Sequence, residues 1–236
     1  MTADPQLIIV IPVYNEQESL PALLHDWSAV CTQLEIPHEF LVIDDGSKDN
    51  SLAILHTLQT SIPTLKIISQ PNAGHGPAIL KGYRSAALAS TWIFQIDSDH
   101  QFDTQPFTTL WNNRHQYDLL IAERREKHAT PARQFISMGS RSIVRILFGR
   151  GVKDVNSPYR LMRAATLTGP LADIPPDAFA PNILITAWYI RKKYRIFTTT
   201  VEFRKSIRPR ISGMNSYFVK GCLRSIVQTL QFRFRQ

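Results

Sequence analysis

The chain has 236 residues, 44 % apolar and 19 % charged, enough to bury a sizeable core and too apolar for wholesale disorder. Its two cysteines, Cys31 and Cys222, make neither a disulfide framework nor a metal-ligand spacing, which excludes a secreted disulfide scaffold and suits a reducing compartment. Charge is uneven: residues 187–236 hold 12 Lys/Arg against one acid, Glu202, while residues 1–186 hold 15 against 18, together the net +8.

The opening Met-Thr-Ala-Asp-Pro lacks the basic start and cleavage site of a signal peptide. Leu7–Val13, among the longest apolar runs, falls far short of the roughly 18 residues that a membrane span requires. As a continuous apolar run it reads as a strand buried on both faces of a parallel sheet. A helix is expected from Ser19, as N-cap with Pro21 in the first turn, to about Leu34. Phe40–Ile43 is the second strand, and Leu52, Ile54, Leu55 and Leu58 mark the next helix. Leu65–Ile68 is a third strand, followed by Asn72–Gly76 and a helix to about Ala89. Trp92–Ile96 and Leu119–Ala122 are the fourth and fifth strands. Beyond them, Arg133–Phe148 and Pro181–Lys193 read as helices and Ile196–Phe203 as a strand. Asn215–Phe234 places Val219, Leu223, Ile226 and Leu230 on one helical face, with Lys220 and Arg224 off that stripe.

Strands alternating with helices imply an α/β fold, a doubly wound and mostly parallel sheet with right-handed crossovers. One domain is expected over 1–213, with 214–236 a basic amphipathic helix that packs on it or docks to a membrane. In such sheets ligands gather beyond the carboxyl ends of the strands. There the sequence puts Tyr14-Asn-Glu16, Asp44-Asp45-Gly46, Asn72–Gly76 and Asp97–Gln101.

Asp97, Asp99 and Gln101, at alternate positions past a strand, can turn three oxygens toward one point, a donor set for Mg²⁺ or Mn²⁺ completed by diphosphate oxygens. A chance Asp-x-Asp in a solvated loop is the competing reading, and the position at the end of a buried strand favours the metal. Asp44 stands where it can read a base or ribose, while Ser47 or Asp49 caps the next helix. Asn72–Gly82 resembles a phosphate loop at a helix start but has Ile79 at the third glycine of the dinucleotide fingerprint and lacks the Lys-Ser/Thr of nucleoside-triphosphate loops. His75 alone reads as a loop residue rather than a base. Arg124, Arg125, Arg133 and Arg160 supply cations, most of them expected to be structural, some available to a leaving diphosphate.

Pro12-Val-Tyr-Asn-Glu16, Val42-Ile-Asp-Asp-Gly-Ser47, Asn72–Gly82 and Gln95-Ile-Asp-Ser-Asp99 together resemble glycosyltransferase family 2, with its GT-A fold. The likeness is greatest to dolichol-phosphate mannosyltransferases and other polyprenyl-phosphate glycosyltransferases. Asp154–Arg160 and Arg208–Asn215 resemble their later Asp-x-x-Ser-Gly-Phe-Arg and basic acceptor segments. The resemblance implies that Pro12, Tyr14, Glu16, Asp44 and Asp97 hold the donor nucleotide, and that Asp97, Asp99 and Gln101 hold the divalent metal. It implies catalytic parts for Asp99, Arg124 and Arg133, and acceptor contacts for Arg160, Arg208 and Ser212. Asp154 is a supporting acid. Departures are Asp-Ser-Asp-His for the usual Asp-Ala-Asp-Leu, Ala122-Glu-Arg124 for Gly-Ser-Arg, and Pro158 for glycine.

The expected reaction is inverting transfer of a hexose from a GDP-mannose- or UDP-glucose-type donor to a polyprenyl or dolichyl phosphate. A hydroxyl acceptor is the alternative within the fold. A nucleic-acid module is the alternative outside it, weakened because no nucleic-acid motif accompanies the basic tail. The tail fits an anionic membrane surface, a cytoplasmic protein peripherally bound to the cytoplasmic face of the membrane, and a possible membrane partner protein.

Overall fold

The structure, a computed structural model, describes residues 6–125, 152–202 and 216–234. Strand β1 (Leu7–Val13) is buried throughout, and its alternation divides two cores. Ile8 and Val10 pack with Leu41, Ile43 and Ile93 on one side of the sheet. Leu7, Ile9, Ile11 and Val13 pack with Phe40, Val42, Trp92 and Phe94 on the other. A strand covered on both faces needs apolar residues at odd and even positions alike, hence the unbroken run.

Helix α1 (Leu20–Gln33) presents Leu20, Leu23, Leu24, Trp27 and Cys31 to the second core, a stripe at helical spacing. Trp27 meets Phe94, Phe107 and Tyr159 with ring centroids 4.9, 5.4 and 5.9 Å away. Then follow β2 (His38–Asp44), α2 (Ser51–Gln59), β3 (Leu65–Ser69), α3 (His75–Ala86) and β4 (Trp92–Gln95). β3, β2, β1 and β4 pair in that order, all parallel. Helix α3 covers the first core through Ala78, Ile79 and Tyr83.

The second half adds α4 (Gln105–Asn113), β5 (Leu119–Arg125), β6 (Arg160–Arg163), α5 (Ala164–Asp173), α6 (Pro181–Arg191), β7 (Ile196–Glu202) and α7 (Ser216–Phe234). The sheet continues β4-β6-β5-β7, with β6 antiparallel to both neighbours and β5 parallel to β7. The sheet is thus mostly parallel, as expected, and has seven strands, one more than the sequence reading gives. Three short elements, α4, β6 and α5, are additions to the sequence reading. The helix expected over Arg133–Phe148 lies outside the described residues, as do Arg133, Arg208 and Ser212.

Helix α7 inverts the usual rule. Among those of its residues whose burial is described, Gly221, Gln228, Thr229 and Phe232 are buried, while Leu223, Ile226, Val227 and Leu230 are 59, 37, 51 and 38 % exposed. Phe232 meets Trp188 of α6 at 6.2 Å, the Gln228 amide oxygen accepts from the Phe179 N–H at 3.1 Å, and Gly221 lets Phe179 lie against the helix. No described helix is long and apolar enough to cross a membrane.

Candidate active site

A cleft of ≈ 460 Å³ opens at the carboxyl ends of β1, β2 and β4, walled by Pro12, Tyr14, Glu16, Asp45, His75 and Asp97. Its size suits a small ligand. Parity along the strands explains the membership. Val10, Ile43 and Ile93 face the α3 side, and counting on by twos past the strand ends brings Pro12, Asp45 and Asp97 to that side. The same count turns Asp44 away. It is 1 % exposed, with its carboxylate accepting from the Ser47 N–H at 3.2 Å and the Ser69 hydroxyl at 2.9 Å. The cleft acid is therefore Asp45 rather than Asp44. Asp45 also fixes the next loop, accepting from Gln70 Nε2 at 2.7 Å and from the Ala73 and Gly74 N–H groups at 2.9 and 2.8 Å. Gly46 (φ +69°) permits this approach, since a Cβ there would lie 2.8 Å from the Asn72 nitrogen.

The first two loops are stitched together by short polar side chains. Asn15, in the left-handed region at φ 56°, accepts from the Lys48 N–H at 2.7 Å, and its own N–H donates to Ser47 Oγ at 3.0 Å. The Glu16 N–H donates to Ser51 Oγ at 2.8 Å. Ser19 does not cap α1 with its side chain. Its hydroxyl donates to the Ser98 carbonyl at 2.8 Å and so joins the Tyr14-Asn-Glu turn to the acidic loop. Tyr14 remains 42 % exposed, an aromatic face at the cleft rim.

Helix α3 points its amino end, the positive end of its dipole, into the cleft. His75 stands there with Nε2 3.5 Å from Asp97 Oδ1, so the residue read as an ordinary loop histidine is a cleft residue. The missed signal is its place at the helix start, one residue before Gly76. A Cβ on Gly76 would fall 2.0 Å from the Ala178 carbonyl oxygen, so the helix start is pressed against the segment before α6.

Asp97 lines the cleft, whereas Asp99 and Gln101 are each 7 % exposed. The chain turns between them at His100, in the left-handed region at φ 52°. His100 Nε2 lies 2.9 Å from Asp26 Oδ2 of α1, which ties the acidic loop to that helix. Asp99 Oδ1 accepts from the Gln101 N–H at 3.4 Å. Among the described residues no cluster of three or more His, Cys, Asp or Glu forms an all-protein metal cage. Two carboxylates and an amide oxygen nevertheless fit a hard cation that takes its remaining oxygens from a diphosphate and water.

Arg124, near the end of β5, forms a bidentate pair with Asp154: Nε to Oδ2 at 2.6 Å and Nη2 to Oδ1 at 2.9 Å. Burial pushes the Asp154 carboxyl up, but the Arg124 hydrogen bonds and charge, with the charge of Arg160, more than reverse this and hold it below the usual carboxylate range. Arg160 does not reach the cleft surface. It is 0 % exposed, and its nitrogens donate to the carbonyls of Ser157, Asn182 and Val155 and to Thr186 Oγ1. Burial lowers its pKa, with Tyr83 and Asp154 working against the shift. Here it braces the start of α6.

Residues 8–165 match the Glycosyl transferase family 2 model. The chain belongs to glycosyl transferase family 2. This family 2 glycosyltransferase is 30 % identical over 181 residues to the undecaprenyl-phosphate 4-deoxy-4-formamido-L-arabinose transferase of Serratia proteamaculans, covering 75 % of this chain and 55 % of the relative. It is 32 % identical over 159 residues to the same-named enzyme of Yersinia enterocolitica, covering 66 % of this chain and 48 % of the relative. The chain thus spans about half the length of these curated relatives. Its fold matches glucosyl-3-phosphoglycerate synthase of Mycobacterium tuberculosis, solved with Mn²⁺, UDP-glucose and phosphoglyceric acid, at a TM-score of 0.67 and 15 % identity over 98 % of this chain and 80 % of that one. S. aureus TarS with UDP-GlcNAc matches at a TM-score of 0.63 and 19 % identity, over 94 % of this chain and 66 % of that one. Both are GT-A structures, and the fold expected from the sequence motifs is the one observed.

Proposed function

We propose that this glycosyltransferase moves a sugar from a nucleoside-diphosphate donor, of GDP-mannose or UDP-glucose type, to a polyprenyl phosphate. The observation that carries the donor half is Asp97 at the cleft wall beside the amino end of α3, with Asp45 and Tyr14 on the opposite loops. Pro12, Tyr14, Glu16 and Asp45 would hold the nucleoside, and α3 the diphosphate. Asp97, with Asp99 and Gln101, would hold Mg²⁺ or Mn²⁺. That ion would neutralise charge developing on the leaving diphosphate.

The acceptor half rests on the relatives, whose names specify undecaprenyl phosphate. Such an acceptor brings an oxygen that is already anionic near neutral pH. The acceptor oxygen attacks the anomeric carbon in line, and the bond to the diphosphate breaks with its electron pair leaving on the nucleotide. No side chain need remove a proton, as it would for a hydroxyl acceptor. The chain's task is then to hold two anions in reacting geometry. Arg124, paired with Asp154, is the described arginine proposed for that task. Arg133, Arg208 and Ser212 belong to the same proposal but lie outside the described residues.

Calorimetric titration of GDP and UDP, with Mn²⁺ and with chelator, tests the donor half. One nucleotide is expected to bind in a metal-dependent manner and to lose that binding in Asp99→Ala. Absence of binding by either nucleotide sinks the proposal. Turnover with short-chain prenyl phosphates but not with sugar alcohols supports the acceptor half, and the reverse selects the hydroxyl reading.

The exposed apolar row of α7 supports the peripheral-membrane part of the reading. Leu223, Val227 and Leu230 project outward from a helix whose described charges, Lys220, Arg224 and Arg233, are all basic. Each apolar side chain buried in an interface contributes about 1.5–3 kcal/mol, and each nearby basic one about 1 kcal/mol on an anionic surface. Leu223→Asp is expected to lower partitioning onto anionic phosphatidylglycerol vesicles at least tenfold while leaving nucleotide binding intact. Equal flotation of variant and parent would remove α7 from the proposal.

A further inference from the structure

Gln95 closes β4 on the face that carries Ile93, and its side chain is wholly buried beside the first apolar core. A buried amide without partners is costly, and here both the oxygen and the nitrogen have partners. Its Oε1 accepts from Asn182 Nδ2 at 2.8 Å and from the Tyr83 hydroxyl at 3.1 Å. Its Nε2 donates to Asp97 Oδ1 at 3.2 Å. Asn182 and Tyr83 are themselves buried, and the Tyr83 hydroxyl also lies 2.9 Å from Asn182 Oδ1. Asn182 in turn is fixed through its carbonyl, which accepts from Arg160 Nη1 at 3.2 Å.

The amide has one stable orientation. Reversing it would set an NH₂ group against the Asn182 NH₂ and remove the donor from Asp97. Asp97 Oδ1 is therefore engaged by Gln95 from within the protein, with His75 Nε2 3.5 Å away, and no described residue donates to Oδ2.

We infer that Gln95, oriented by Asn182 and Tyr83, is a positioning residue that sets the Asp97 carboxylate so that Oδ2 is presented to a donor-bound divalent cation. The inference rests on Asp97 serving the donor site. Neither Gln95 nor Asn182 titrates, so their contribution is orientation and local polarity. Residues that orient metal ligands in this way typically change metal affinity 10–100-fold when replaced. The inference also gives Arg160 a place, three hydrogen bonds behind Asp97, since it holds the Asn182 backbone whose side chain holds Gln95.

The test measures Mn²⁺ binding to the full chain by electron paramagnetic resonance, in the presence of GDP and of UDP. Nucleotide binding with chelator and the thermal midpoint are measured alongside. Gln95→Met keeps the volume and removes the donor to Asp97. It is expected to weaken Mn²⁺ binding about tenfold or more, with metal-free nucleotide affinity within twofold and a midpoint only a few degrees lower. Tyr83→Phe removes one of the two donors that orient the amide, and a two- to fivefold loss is expected. Asp97→Asn is the control. If Asp97→Asn weakens Mn²⁺ binding while Gln95→Met and Tyr83→Phe match the parent, the positioning inference is overturned and the donor-site reading stands. Parallel loss of metal-free nucleotide binding also overturns it, since a merely structural role predicts that result. If Gln95→Met does not fold, parent-level Mn²⁺ binding by Tyr83→Phe decides against it. If Mn²⁺ binds neither nucleotide complex of the parent, or binds Asp97→Asn as tightly, the donor-site reading falls and the inference falls with it.

Discussion

Asp97→Ala is expected to reduce turnover by about a thousandfold, which is about 4 kcal/mol of transition-state stabilisation. The magnitude follows from where the carboxylate sits. Asp97 is the member of the acidic loop that lines the cleft, whereas Asp99 and Gln101 are almost wholly buried. Its replacement removes a carboxylate proposed to hold the divalent cation and leaves the buried Gln95 Nε2 without its acceptor. A residue that only bound substrate would raise KM and leave kcat in place. In the proposed reaction Asp97 would help hold the cation that neutralises charge growing on the leaving diphosphate, so the loss is expected in kcat, measured with saturating donor and Mn²⁺. A variant whose kcat falls less than tenfold would displace Asp97 from the centre of the proposed chemistry.

Much of the first 125 residues is legible in the sequence because β1, most of β2 and β4 are buried on both faces and α1 carries one apolar stripe. Leu7–Val13 and the row Leu20, Leu23, Leu24, Trp27 need no tertiary information to be recognised. The errors have equally local causes. Asp44 and Asp45 are adjacent, and a choice between them requires the strand's facing, which the α3-side packing of Leu41 and Ile43 supplies. Strand β6 is four residues flanked by arginines, too short for period-two alternation to stand out, and it runs antiparallel where alternating strands and helices imply parallel. Arg160 resembled a phosphate ligand because arginine is the residue that grips phosphate. In the fold it is the strand's buried first residue, with its donors spent on loop and helix carbonyls. In the sequence His75 is one histidine in a loop and carries no pattern. Only the folded chain brings it to Asp97, 22 positions onward. Helix α7 shows the limit of periodicity: its apolar stripe is real, and the structure turns that stripe outward.

Asp154→Ala is the second large expected effect, on stability rather than on the chemistry directly. The Arg124 and Asp154 side chains retain only 18 and 14 % exposure and join through both guanidinium–carboxylate bonds, so the pair is mostly out of water. Removing the acid takes both of these bonds from a largely buried guanidinium, and breaking a buried pair in this way costs about 3–5 kcal/mol. Against a total stability on the order of 5–15 kcal/mol, this should lower the thermal midpoint by about 10 °C. Asp154→Asn keeps the shape and one acceptor oxygen and should lose less. The effect also carries a pH signature. Folding holds the Asp154 carboxyl below its ordinary range, so just below that range the unfolded chain binds this proton more readily than the folded chain. The pair's contribution is therefore complete above about pH 5 and is lost as pH falls through the depressed folded value. Thermal melts of parent and Asp154→Ala should be far apart at pH 7 and draw together as the pH falls below the ordinary carboxylate range. A gap that stays constant with pH would mean that packing of the side chain, and not its charge on Arg124, holds this edge of the site together.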